Sequence, residues 1–244
     1  MKKVLVLTMV LLMAVSGLHA QEAGTFTLGF RSGVAFGFHS AEDSEGELRR
    51  WLGLPAASID SSMRMNFNLA AFAAYTIIDN LSLQLELNVM ANQGFDMDAS
   101  FLGMDLMEVQ TTYTSLDIPL LVRFSLLDGM LGFIAGPHIS IPLGRAVQWM
   151  EPASAIADYF GPPTGGAAEI DNFATFGVTA GAVGGFPVGP GHIIGDLRFV
   201  FDFNAMQVRV GNEDRYGNPL PGTRTFDAMA RRALVFTLGY QISF

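Results

Sequence analysis

Eight ionisable residues sit at alternate positions inside apolar stretches of the sequence: Arg31, Arg64, Arg123 and Arg198, and Glu86, Asp117, Asp196 and Asp202. Four cations face four anions. A charge withdrawn from water costs several kcal/mol unless it finds a partner. These eight are therefore expected to form a structural ion-pair network across an enclosed space. The rival reading is a charge-lined, gated ion path. Catalytic chemistry has thinner support. His39-Ser40 with Asp43 brings a base, a hydroxyl and an acid together, but Glu42, Glu45 and Glu47 make that segment more simply a solvated acidic tip, and no catalytic residue is assigned. His138 is expected on the same enclosed face as the eight, and His192 in a turn. Asp96-x-Asp98 followed by Asp105 and Glu108 suggests calcium, yet it lacks the glycine and glutamate of an EF-hand loop, so no metal site is assigned. The glycines from Gly189 to Gly195 superficially resemble a nucleotide fingerprint; no helix follows them, and no cofactor is expected.

The elements that must position the eight charges are legible from periodicity. The chain has 244 residues, half of them hydrophobic and 15% charged, against about 25% charged in a soluble domain. It has no cysteine, which removes disulfides, thiolate metal sites and thiol nucleophiles. Residues 1–20, with Lys2, Lys3 and an apolar run, read as an export leader, leaving 21–244 as one domain. Without the leader the chain carries a formal charge of −11, which argues against nucleic acid as a partner.

Strict alternation of bulky apolar residues with small or polar ones marks a strand whose two faces meet different surroundings. It runs through 25–38, 63–77, 81–95, 109–125, 131–143, 173–187, 192–204 and 232–244, giving eight strands. Three connections are short, at 78–80, 126–130 and 188–191, and four are long, at 39–62, 96–108, 144–172 and 205–231. Long and short alternate, as in outer-membrane barrels with periplasmic turns on one rim and extracellular loops on the other. The fold class is all-β: an eight-stranded antiparallel up-and-down transmembrane β-barrel.

A soluble barrel would turn its apolar face inward. Three features favour the opposite. The apolar face is bulky while the other is crowded with Gly, Ala, Ser, Thr and Asn, which suits a narrow lumen. Aromatics gather near the strand ends, with Phe38, Phe67, Phe95 and Phe203 toward the loops and Tyr75, Phe124, Phe186, Tyr240 and Phe244 toward the turns, as interfacial girdles do. The strands also supply few charges for a wetted surface. A spanning helix over 172–195 is rejected, because that stretch contains seven glycines and two prolines. Eight strands leave no porin-like channel. Trp149, Met150, Tyr159 and Phe160 in the third long loop form either a binding surface or a cover over the barrel mouth.

Three segments carry a family resemblance. Residues 113–124 (YTSLDIPLLVRF) resemble a fourth-strand "LEIPLLLKY" pattern, and 132–137 (GFIAGP) a fifth-strand "G-x-x-x-G-P" opening. Residues 236–244 (FTLGYQISF) resemble a C-terminal targeting strand. Together they are similar to the small outer-membrane β-barrel superfamily, OmpA/OmpX-like, whose members are often labelled porin-family proteins. The resemblance implies that Phe236, Leu238, Tyr240, Ile242 and Phe244 form the signal read by the barrel-insertion machinery after delivery by periplasmic chaperones. It implies the outer-membrane bilayer as the principal partner and a monomer. The expected role is structural or surface-interactive: envelope integrity, adhesion or host contact through the loops, with the lumen closed by ion pairs. A narrow or gated channel is the alternative, and a rim-located enzyme the second. The sequence names no surface ligand.

Overall fold

The structure, a computed structural model, describes residues 23–39, 58–101, 104–126, 129–152, 164–170, 174–204, 206–210, 224–228 and 230–244. The leader expected over 1–20 lies outside them, as do Ser40, Asp43, Tyr159 and Phe160. The strands in chain order are β1 (Phe26–His39), β2 (Ser58–Ser62), β3 (Arg64–Ile78), β4 (Leu81–Phe101), β5 (Met104–Leu126), β6 (Leu131–Pro152), β7 (Thr164–Ile170), β8 (Thr175–Val188), β9 (Gly191–Asp202), β10 (Met206–Val210), β11 (Arg224–Ala228) and β12 (Arg231–Ser243).

Eight of these close a ring. β1 pairs with β3, and the ladder continues through β4, β5, β6, β8, β9 and β12 back to β1, every pair antiparallel. Tight turns join strands on the periplasmic side. Asn80 (φ 71°) and Gly189 (φ 61°) supply the left-handed backbone at two of them, which asparagine and glycine tolerate. No helix among the described residues is long and apolar enough to cross a membrane, and 175–202 form a β-hairpin rather than a spanning helix.

Outside the ring the pattern differs from the sequence expectation. β4, β5 and β6 have 21, 23 and 22 residues, whereas a strand crosses the bilayer in about 9–11. Their outer portions, together with β2, β7, β10 and β11, build a sheet beyond the membrane. The described residues of 96–108 and 144–172, read from sequence as loops, are thus strand. The alternation fades there, since lipid and lumen impose their opposite demands only within the bilayer.

Inside the ring the two faces are sorted as the alternation requires. Phe30, Leu69 and Leu238 are 61%, 60% and 70% exposed on the outer surface, while Arg31, Glu86 and Asp117 are buried on the inner one. A soluble barrel would show the reverse. Phe67, Tyr75, Phe124, Phe186, Phe203 and Phe244 are exposed on the outer surface. The side chains of Phe38 and Phe95 lie outside the described set.

Glycines make room for the large inward side chains. Gly239 lies opposite Arg31 and Gly181 opposite Arg198 in their ladders. A Cβ at Gly239 would stand 2.6 Å from the Arg31 Cβ, and one at Gly181 2.8 Å from the Arg198 Cα. One irregularity redirects a side chain. Asn92 (φ 61°) forms a bulge between Met90 and Gln93, and the strand's parity shifts so that Gln93, outward by simple alternation, enters the lumen. We expect Gly181→Ala to destabilise the refolded barrel by about 1–3 kcal/mol through overpacking, measured by urea titration in detergent micelles.

Candidate functional site

The inner strand positions lie too close to the barrel axis for bulk water, so charges there depend on one another. Two networks result. The first surrounds Glu86. Arg198 Nη1 donates to its carboxylate at 2.7 and 3.0 Å, Arg31 Nη2 pairs with it, and Gln84 donates to it. Asp196 joins the same two cations, 3.0 Å from Arg31 Nη1 and 3.0 Å from Arg198 Nε. The Arg31 guanidinium also lies 5.5 Å over the Phe72 ring.

The second network lies toward the outer mouth and centres on Arg231. Its Nη1 donates to Asp117 and to Gln93, both at 2.8 Å, and its Nη2 to Asp202 at 3.2 Å. Ser115 and Ser140 donate to Asp117 at 2.7 and 2.5 Å. Thr175 donates to Asp202 at 3.0 Å, and His138 Nε2 lies 2.7 Å from the same carboxylate.

Between the networks lies an apolar belt of Ala35, Met90, Val200, Ala233 and Val235. A second apolar layer of Phe72, Leu121, Ile134, Val183 and Ile194 lies toward the periplasmic end. Successive inward residues of β9 display the order: Ile194, Asp196, Arg198, Val200, Asp202. A central cavity touching Arg31, Arg198, Asp117 and His138, and another beside Arg231 and Asp202, measure about 10 Å³ each. That is room for about one water apiece.

The structure thus brings Arg31, Glu86, Asp196 and Arg198 together, and places Asp117 and Asp202 on Arg231. Arg64 stands apart. It pairs with Asp96 at 2.9 Å and donates to Asn92, part-buried near the start of β3. Arg123 donates to Gln241 at 3.2 Å and forms no salt bridge with a carboxylate among the described residues. Sequence reasoning missed Arg231 because it directly precedes the alternating run 232–244, where it reads as the end of a loop. Its signal was its odd number, which matches the inward positions Ala233, Val235 and Thr237. It missed Gln93 because of the bulge.

His138 lies between Asp202 and the Thr179 hydroxyl, 3.1 Å from its Nδ1. The acid–imidazole–hydroxyl order is that of an activated nucleophile. All three are buried, however, and Asp202 is also held by Arg231 and Thr175, which makes this a packed polar core without space for a substrate. The rim candidate is not described: the His39 side chain, Ser40 and Asp43 lie outside the described set. Asp96 and Asp98 lie on β4, with Asp98 opposite Glu108 on β5, and no group of three or more metal-binding side chains occurs among the described residues.

A closed ring with an apolar outside and an inside of paired charges defines an integral β-barrel membrane protein. The profile described as the outer membrane protein beta-barrel domain matches residues 19–207, and the chain belongs to that family. It is accordingly a Gram-negative outer-membrane protein. Among solved structures it is similar to the outer membrane protein OprG from Pseudomonas aeruginosa, at 11% identity over 92% of this chain and 98% of that one, with a TM-score of 0.46. It is also similar to a major outer membrane protein from Thermus thermophilus (13% identity, 88% and 99% covered, TM-score 0.47). A third is Ail, the attachment invasion locus protein of Yersinia pestis (9% identity, 90% and 99% covered, TM-score 0.40). A search of curated proteins finds no match.

The contrast between the two kinds of ion pair is measurable. We expect Glu86→Gln, which leaves Arg31 and Arg198 sharing one acid, to cost about 3–5 kcal/mol, the scale for breaking a buried pair. Arg64→Ala, with part-exposed partners, should cost less than about 1 kcal/mol. Urea titration of the refolded variants checks both values. The double variant Glu86→Gln with Arg198→Met should lose less than the sum of its single changes.

Proposed function

We propose that this protein is a non-catalytic outer-membrane scaffold whose lumen is closed by ion pairs and whose extracellular strands and loops act at the cell surface, in envelope integrity or in adhesion. The filled lumen carries this reading. Among the described residues, two salt-bridged networks and two apolar layers occupy the axis, and the two cavities described beside them admit about one water each. The outer sheet built on β4, β5 and β6 supplies the surface on which a partner would act. In this reading residues 1–20 are the export leader and 21–244 the mature barrel.

The test is single-channel recording of the refolded protein in planar bilayers. We expect no steady conductance. A stable open level, abolished in Asp117→Ala, would overturn the reading in favour of a channel.

The final strand serves as the insertion signal in the same proposal. Phe236, Leu238 and Phe244 are exposed on the lipid face, with Tyr240 and Ile242 between them. Phe244 exchanges backbone hydrogen bonds with Phe26 at 2.8 and 3.1 Å, where the first and last strands meet. Phe244→Asp should reduce outer-membrane yield and leave the chain to periplasmic degradation, as read by immunoblotting of fractionated membranes. Normal yield would remove the assignment.

A further inference from the structure

We infer that the periplasmic end of the lumen contains an oxyanion-binding site built on Arg123. Three observations converge there. Arg123 is 3% exposed, and only its Nη1 is used, donating to Gln241. Its Nε and Nη2 have no acceptor among the described residues. Those two N–H groups form one edge of the guanidinium, the fork that receives both oxygens of a carboxylate or phosphate in parallel hydrogen bonds. The next inward residue of β5, Ser125, has a buried hydroxyl without a partner among the described residues, and the His192 Nδ1 is likewise buried and unpartnered among them. His192 lies directly opposite Gln241 in the β9–β12 ladder and within the electrostatic reach of Arg123.

The charge distribution also favours an anion at this end. Arg31 and Arg198 together occupy Glu86 and Asp196, and Arg123, attracted by Asp196 and repelled by both arginines, is a third cation that forms no salt bridge among the described residues. The surplus carboxylate is at the other end, where Asp117 and Asp202 share Arg231. The apolar belt lies between the two clusters. Arg123 lies three residues before the periplasmic end of β5 at Leu126. The ligand is therefore a small free oxyanion, a carboxylate or phosphate group, entering from the periplasm. The site is independent of the scaffold proposal, since it requires no conduction through the lumen.

The experiment is NMR of arginine Nε–Hε groups in the full chain refolded in maltoside micelles, which contain no phosphate. Inorganic phosphate is titrated at constant ionic strength against chloride. We expect one Nε–Hε resonance, absent in Arg123→Lys, to shift saturably. A thermal midpoint that rises with phosphate in the wild type should be unmoved in that variant, because a ligand binding only the folded state stabilises it. Ser125→Ala should bind phosphate about tenfold more weakly, the value of one charge-assisted hydrogen bond. Arg232→Gln, on the lipid face, should bind as the wild type does. If Arg123→Lys fails to refold, the saturable shift and its weakening in Ser125→Ala decide the matter. No saturable shift, or equal weakening in Arg232→Gln and Ser125→Ala, overturns the site. A resonance moved by added phosphatidylglycerol and not by inorganic phosphate assigns the fork to a lipid headgroup and also overturns it.

Discussion

Water does not reach the backbone of a strand inside hydrocarbon, so each amide and carbonyl must bond to a neighbouring strand. The other features of this protein follow from that requirement. A sheet with two free edges would leave two rows of unmet groups, and pairing of β1 with β12 removes both. Closure then creates an interior, and the interior of an eight-stranded ring is narrow enough to be filled by side chains. Since the outer face must be apolar to suit lipid, the alternating period assigns polar side chains to the inside.

Filling a narrow tube with polar groups raises a second problem, which the networks resolve. Arginine is suited to it, because one planar group can serve two carboxylates at once, as Arg31 does for Glu86 and Asp196 and Arg231 does for Asp117 and Asp202. Such long side chains need space, and Gly239 and Gly181 supply it on the facing strands. The small residues of the inner face and its charges are therefore linked: Arg31 and Arg198 each face a glycine across one of their two ladders. The apolar belt between the networks and the apolar layer toward the periplasmic end add packing contacts.

The sequence made the barrel, its strand count and its inside-out sorting legible because lipid and lumen impose opposite demands on adjacent residues. Six of the eight charges read from alternation lie in the two networks, and Arg123 is buried close to the first. Three details were not legible. The partner of Asp117 and Asp202 is Arg231, and no one-dimensional pattern reveals which cation crosses the lumen to meet which acid. The bulge at Asn92 moved Gln93 across the wall, a shift set by one residue's backbone conformation. The extension of β4, β5 and β6 beyond the membrane was invisible, because without two contrasting solvents a strand has no reason to alternate. Arg64 illustrates the same boundary: its parity is inward, but at the outer end of the wall it finds Asp96 instead of the axial acids.

The two-residue period also bears on how the chain leaves the cytoplasm. A protein bound for the outer membrane first passes the inner one, where the translocon diverts sufficiently long apolar segments sideways into lipid as helices. In this chain polar and glycine residues interrupt the apolar ones at nearly every second position, so helical winding would spread both kinds around every side. Enough greasy surface for one membrane is thereby carried through another unnoticed, and it becomes a single continuous surface only when the strands pair.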